Sequence, residues 1–505
     1  MEIKRLKRKK LETSLRKRLS VSAEENIAYF KKLFDEDDTL IIRYFENVKN
    51  PEIKGYILFI NGMVNREEIF RSILEPVIRN PALSMEAGLL KTLQDSVISA
   101  GDIEKTGQID KILNSLLNGN TIFILNAFNE AFIINTKGFQ MRSVTEPEGE
   151  RVLRGPREGF IEPLLVNLAL LRRKLETTDL KYEFMKIGRY SQTKLCICYI
   201  NGVANPQIVK ELKQRLKKID IDGIVASGYI VELIKDEPYS PFKTMGSTER
   251  PDVVAAKLLE GRVAVVVDGT PVVITLPFLF IEHFQANEDY YINFYFSSIN
   301  RLLRIIAFII TVSVPGVYVA LLTYHQEMIP TPLLLSISAA RQGVPLPTIV
   351  EILILLFVFE ILREAGIRMS NSIGQALSIV GALVLGQASV DAKLVSAPVV
   401  IVVALCGITG LITPRIKGAA ITFRLLLLLL SAYMGLYGFI FGVSGILIHL
   451  CQIRTFGIPY LIDLTSMDLK DFKDTAIRAP LWFMKKRPVF ISNNRTRQGS
   501  TGRHK

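Results

Sequence analysis

From Leu302 to Cys451 the chain is almost wholly a succession of apolar runs, each between 20 and 27 residues long. That feature constrains the fold more than any other. A helix of about 20 residues spans the roughly 30 Å of a bilayer's hydrocarbon core, and only a helix or a closed barrel satisfies its backbone there. The runs fall at residues 302–323, 346–365, 371–390, 394–413 and 425–451. They predict an α-helical multi-pass transmembrane bundle, with a kink at Pro315 and Gly316 in the first helix. Residues 332–340 are too short to cross and read as a re-entrant or interfacial piece. Before about residue 285 charges are frequent and apolar runs short, so the mean hydropathy of +0.28 averages two unlike halves.

Both ends are basic. The start carries Lys4, Arg5, Lys7, Arg8, Lys9 and Lys10 with no apolar stretch behind them, which is not the pattern of a secretory signal. From Arg478 to Lys505 there are seven further lysines and arginines after Arg478 and no acidic residue. In a membrane protein with a net charge of +13, such tails mark the cytoplasmic side and an anionic lipid surface, and nucleic acid is not the expected partner. With the N-terminal region inside, Arg363 and Arg368 fall inside, the Asp391–Lys393 loop outside, and Arg415, Lys417 and Arg424 inside. One more simple crossing would strand the basic C-terminal tail outside. The glycine-rich run of 425–451, with Gly435, Gly438, Gly442 and Gly445, is therefore expected to break or re-enter.

The soluble half repeats itself. YILFINGMVN (56–65) and CICYINGVAN (196–205) are each followed by a helical pattern, REEIFRSILEPVIR and PQIVKELKQRLKKI. LLNGNTIFILNAFNEAFII (116–134) then matches LLEGRVAVVVDGTPVVIT (258–275), each read as a hairpin. The expected fold class is an α/β cytoplasmic region of two duplicated subdomains, residues 28–145 and 185–282. A basic tail (1–27), a connecting helical segment (146–184), an interfacial aromatic segment (283–301), the transmembrane domain (302–451) and a basic C-terminal tail (452–505) complete the organisation. Asn61, Asn65, Asn201 and Asn205 read as residues closing the turns through side-chain to backbone bonds, in preference to a ligand site.

No sequence pattern argues for bond-making chemistry. There is no GxxxxGK[ST], HExxH or paired CxxC, and His283, His325, His449 and His504 are too scattered for a metal site. No catalytic residue, metal or cofactor is expected. Cys196, Cys198, Cys406 and Cys451 read as reduced core residues. Arg154, Arg157, Glu158 and Glu162, on a loop entering a helix, are candidates for a subdomain or subunit contact. Glu351 and Glu360 are intramembrane carboxylates, each of which must face protein, water or a basic partner; for Glu360, pairing with Arg363 is the simpler account. Asn371, Gln375, Ser378, Ala382, Leu385 and Ser389 form one stripe on the 371–390 helix, fit for a water-lined pathway or a tight helix contact. The cluster Tyr290, Tyr291, Phe294, Tyr295 and Phe296, ended by Arg301 and Arg304, fits interfacial anchoring.

Long segments of the chain resemble the A subunit of the GerA-type spore germination receptors. They are GPREGFIEPLLVNLALLRRKL, TERPDVVAAKLLEGRVAVVVDGTPVVITLPFLF, EDYYINFYFSSINRLLR, HQEMIPTPLLLSISAARQGVPLPTIVEILILLFVFEILREAGIR and SIGQALSIVGALVLGQASVDAKLVSAPVVIVVALCGITGLI, in order over most of residues 150–460. The resemblance implies a protein of the spore inner membrane that works with a transporter-like B subunit and a lipoprotein C subunit. It further implies a ring, a pentamer, forming a nutrient-gated ion channel that triggers germination. The SpoVA-operon accessory protein has a similar architecture. A secondary transporter, favoured by Glu351 and Glu360, and a non-conducting scaffold are the rival readings.

Overall fold

The computed structural model describes residues 16–85, 88–138, 149–150, 154–368, 386–461, 474–484, 487, 490–493 and 496. These form two compact units. One contains residues up to 234, 245–277 and the described residues from 487 on; the other contains 235–244 and 278–484.

In the first unit, β1 (Leu40–Glu46), β2 (Lys54–Ile60), β3 (Ile103–Thr106), β4 (Thr121–Leu125) and β5 (Ala131–Ile134) make a sheet of order β1-β2-β4-β5-β3. Its central strands are apolar on both faces because both are covered. Ile57, Phe59, Phe123 and Leu125 pack against Ile69, Ile73, Val77 and Leu93 on one side. Leu58, Ile60, Ile122 and Ile124 pack on the other against α1 (Ala23–Leu33) and α2 (Ile109–Leu117). After α3 (Leu164–Lys174) come β6 (Leu180–Ile187), β7 (Thr193–Ile200), α4 (Pro206–Lys217), β8 (Gly246–Thr248), α5 (Pro251–Glu260), β9 (Val263–Val267) and β10 (Val273–Leu276). Their order is β6-β7-β9-β10-β8, the same circuit as the first sheet. Every pairing within the two sheets is antiparallel, so this is an α+β arrangement and not a parallel βαβ one.

The paired Asn-Gly motifs sit at the same place in each sheet. Gly62 and Gly202, at φ 86° and 75°, turn the chain out of β2 and β7. Asn65 accepts from the backbone N–H of Glu67 and Glu68, and Asn205 from that of Gln207, so both cap the helix that follows. Two segments read as tail are built into this unit: Leu19, Ala23 and Ile27 are buried in the first core, and near the C-terminus Ile491 is buried and Asn493 N–H donates to the Val203 carbonyl.

A buried ion pair joins the two sheets. Arg172 on α3, wholly buried, donates to Asp37, to the carbonyls of Thr177 (2.9 Å) and Leu180 (3.1 Å), and lies 4.5 Å over the Tyr182 ring. Asp38 reinforces the joint by accepting from Phe184 N–H at 2.8 Å.

The second unit is helical: α6 (Phe294–Thr323), α7 (Thr331–Arg341), α8 (Thr348–Arg368), α9 (Ala397–Ile412) and α10 (Lys417–Gln452). Among the described residues, Phe294–Thr323 and Pro414–Gln452 are long and apolar enough to cross a membrane; α9, at 16 residues, is shorter. Pro315 lies within the long α6. The expected break in the glycine-rich run falls at Gly435, whose φ of 61° and ψ of −142° are not helical. There α10 folds back: a Cβ on Gly438 would lie 2.1 Å from the Leu430 carbonyl, and one on Gly442 2.5 Å from Leu427. The arms, 417–434 and 436–452, are 18 and 17 residues long, or about 26 Å each at 1.5 Å per residue. The Tyr324 hydroxyl reaches the carbonyls of Ala432 (2.9 Å) and Tyr433 (3.0 Å), which the break leaves without their helical donors.

The second unit also holds residues 235–244, a loop that interrupts the second sheet's run of chain. Phe242, 1 % exposed, stacks on Phe423 at 5.0 Å. Ser240 meets His449 Nε2 at 2.9 Å, the Lys243 carbonyl accepts from Tyr460 at 2.8 Å, and the Thr244 carbonyl from Thr455 at 2.7 Å.

Candidate functional site

The polar groups among the apolar helices are the places where chemistry can happen, and hydrogen bonds show which helix ends they share. At one end lie the start of α6, the start of α10 and the chain after α10. Arg415 donates to the Gln285 carbonyl at 2.8 Å, and the Phe280 N–H to the Tyr460 carbonyl at 3.2 Å. At the opposite end Tyr324, just past α6, touches the fold in α10. Helix α8 runs parallel to α9: Glu351 meets Ser396 at the α9 start, and Gly407, about three turns further along α9, faces the ring of Phe359, about two turns further along α8.

Glu351 is fully buried. Its Oε2 accepts from Ser396 N–H (2.8 Å) and Ser396 hydroxyl (2.7 Å), and Arg341 lies 3.5 Å from Oε1. A carboxylate at the first turn of α9 also opposes the helix dipole favourably. Glu360 answers to different cations. Arg363, one turn along α8, pairs with it, and Arg424 of α10 donates at 3.0 Å. Thr311 and Thr409 share a hydrogen bond of 2.8 Å between α6 and α9 beside this cluster.

A third network closes the approach to α6. Asp289, fully buried, receives Arg301 and Arg304, each at 2.9 Å. Asp474 takes Arg301 (2.9 Å) and the Tyr290 hydroxyl (2.9 Å), while Arg301 and Arg478 lie over the Tyr290 ring at 5.4 and 5.6 Å. Tyr290 is thus part of a buried joint, whereas Tyr295, Phe296, Trp482 and Phe483 are exposed. Below α6's first turn His283 is buried with Nε2 2.8 Å from the Tyr460 hydroxyl; burial pushes its pKa down to about 3.

The GerA spore germination protein profile of Bacillus and Clostridium matches residues 28–490. The chain belongs to the GerA family. It is 41 % identical to spore germination protein KA of Bacillus subtilis over 96 % of this chain and 90 % of that one. To spore germination protein GerLA of Bacillus cereus it is 36 % identical, over 86 % and 89 %. The crystal structure of the N-terminal domain of the A subunit of the Bacillus megaterium germinant receptor GerK3 aligns with 52 % of this chain and 97 % of that chain at 33 % identity, with a TM-score of 0.42. Membership of this family makes the chain an A-type germination protein, and its two long apolar helices are candidates to cross a membrane.

Within this GerA-family chain, the candidate stripe falls largely outside the described residues: Asn371, Gln375, Ser378, Ala382 and Leu385 lie there, and only Ser389 is described. Ser389 is half-buried, and its carbonyl accepts from Leu394 N–H (2.9 Å) and Val395 N–H (3.3 Å) in the turn leading to α9. Glu158 pairs with Lys174 (3.0 Å) and Arg173 (3.6 Å) at the end of α3, so its described contact is with its own segment. Arg154, Arg157 and Glu162 are exposed. Sequence reasoning missed Arg172, which carries the joint between the sheets. The signal was weak: an arginine directly following LLVNLALL, where an unpaired charge would be costly to bury.

Proposed function

We propose that this chain is the A-type subunit of a nutrient-responsive germination receptor and that, with other copies of itself, it forms a gated ion conduit. The observation that carries the reading is family membership joined to a helical unit in which buried carboxylates are held by cations and serines. In this reading α6, α8, the 371–390 run, α9 and the two arms of α10 cross the membrane, six times in all. The contacts that put the α6 start and the α10 end together support an even number, with both basic tails on the cytoplasmic side of the spore inner membrane. A transporter-like subunit and a lipoprotein subunit are the proposed partners, and the oligomer a ring such as a pentamer.

The stripe from Asn371 to Ser389 is the proposed lining, with Leu385 as the gate. A ring of leucines closes a narrow pore by dewetting. The receptor is reconstituted with its partners and recorded in planar bilayers. Leu385→Ser is expected to leak without nutrient, whereas Leu383→Ser, on another face, disturbs packing only. Current from the off-stripe variant alone, or from neither, overturns the lining; a receptor that responds in spores but never conducts overturns the conduit.

A further inference from the structure

The end of α8 and the first turns of α10 hold more positive charge than their carboxylates neutralise. Arg363, Arg368, Lys417 and Arg424 stand against Glu360 and Glu364. Glu360 is shared by Arg363 and Arg424, and Glu364 is held by Arg368 at 2.8 Å. Lys417 has no ion pair among the described residues, yet it lines one narrow cleft with Glu360, Arg363 and Arg424, over a floor that includes Thr311, Gly407 and Gly410. Arg363 Nε is buried there without an acceptor. Helix α10 begins at Lys417 with no side-chain cap, its Lys417 N–H donating to the Pro414 carbonyl, and the positive end of its dipole adds to the field.

Two uncompensated cations beside apolar helices are expensive unless an anion joins them. The cleft accepts a group the size of a water, so one oxygen of an anion enters while the rest stays outside. The wall outside is apolar: Ile354, Phe357 and Ile361 of α8, at spacings of three and four, and Leu425 of α10 are exposed. A free phosphate has no use for such a wall; an acyl chain does. We propose that this cleft binds the phosphodiester headgroup of an anionic phospholipid, one phosphate oxygen between Arg363 and Lys417 and the acyl chains along α8. This rests on the membrane-embedded reading of the helical unit.

The test uses the full-length protein in nanodiscs of phosphatidylcholine with and without phosphatidylglycerol, followed by native mass spectrometry and thermal unfolding. Wild type is expected to retain phosphatidylglycerol and to gain thermal stability from it. Arg363→Gln with Lys417→Gln should weaken retention by roughly tenfold or more and abolish the gain, while Arg368→Gln keeps both. Lys417→Gln alone breaks no described ion pair and serves if the double variant misfolds. Equal retention by these variants, equal retention of phosphatidylcholine, or displacement by millimolar inorganic phosphate overturns the proposal. Nutrient-dependent current is recorded in parallel, so that lost lipid binding with intact gating refutes this site and leaves the receptor reading standing.

Discussion

Gly438→Ala should be among the most damaging single-methyl additions in the helical unit. The new Cβ would sit 2.1 Å from the Leu430 carbonyl oxygen, 2.7 Å from its carbon and 2.9 Å from Met434 Cβ. Relief to 3.0 Å, below which Cβ contacts essentially do not occur, requires the arms of α10 to part by ~0.9 Å, and the obstacle is backbone, which cannot rotate aside. Overpacking of this kind costs about 1–3 kcal/mol, offset by the ~0.5–1 kcal/mol that alanine gains over glycine in a helix. The difference spans about 0–2.5 kcal/mol, and because the obstacle is backbone a net loss toward the upper end is expected. Gly445, on the same arm, has nothing within 4 Å, so Gly445→Ala should be neutral or slightly stabilising. Thermal unfolding of the purified chain in detergent, followed by far-UV circular dichroism with membrane level as a control, separates the two. If Gly438→Ala melts with wild type, or both variants shift alike, the arms are not packed against each other at Gly438.

Two further outcomes follow from buried charge. Asp37→Ala strands the wholly buried Arg172 guanidinium and should cost about 3–5 kcal/mol in denaturant unfolding, whereas Asp37→Leu combined with Arg172→Met should recover most of that; a double variant as unstable as the single one would contradict the account. His283, lowered to about 3 by burial, favours the native state while neutral, so its contribution is complete above its ordinary value near 6.5. It is lost as the pH falls from there toward 3, by up to about 1.4 kcal/mol per pH unit. His283→Gln should flatten that part of the acid-stability curve, and a curve of unchanged slope would show that another group controls it.

The repeat was legible because both copies keep the strand, the Asn-Gly turn and the helix in contiguous residues. The circuit of the sheets was not, since β3 and β8 read IEKT and GST and carry too little apolar pattern to declare themselves as strands. Antiparallel pairing was legible only within the two hairpins, β4 with β5 and β9 with β10; for the other strands it was hidden, because a strand buried on both faces has the same apolar run in either direction. Asp37 lies in the run DEDD, where a carboxylate reads as solvated; only its distant partner Arg172 makes it a core residue. The fold at Gly435 was foreseen from charge bias, which demands a return but cannot choose among four glycines. Geometry chooses: Gly435 alone takes a positive φ there, and the residue that serves the opened carbonyls, Tyr324, lies just past α6, 108 positions before Ala432. Glu351's partner Ser396 was out of reach for the same reason.

The loop at 235–244 means that the molecule's compact units are not contiguous lengths of chain. A fragment ending at Pro277 would look like a clean excision of the two sheets, yet it would carry those ten residues away from Phe423, His449, Thr455 and Tyr460. Phe242, now 1 % exposed, would go into water, and Ser240 and the carbonyls of Lys243 and Thr244 would lose their partners. Such a fragment should be stickier than the full chain for a reason unrelated to how well its sheets fold, and trimming the loop to a short polar link between Ile234 and Met245 is the direct remedy.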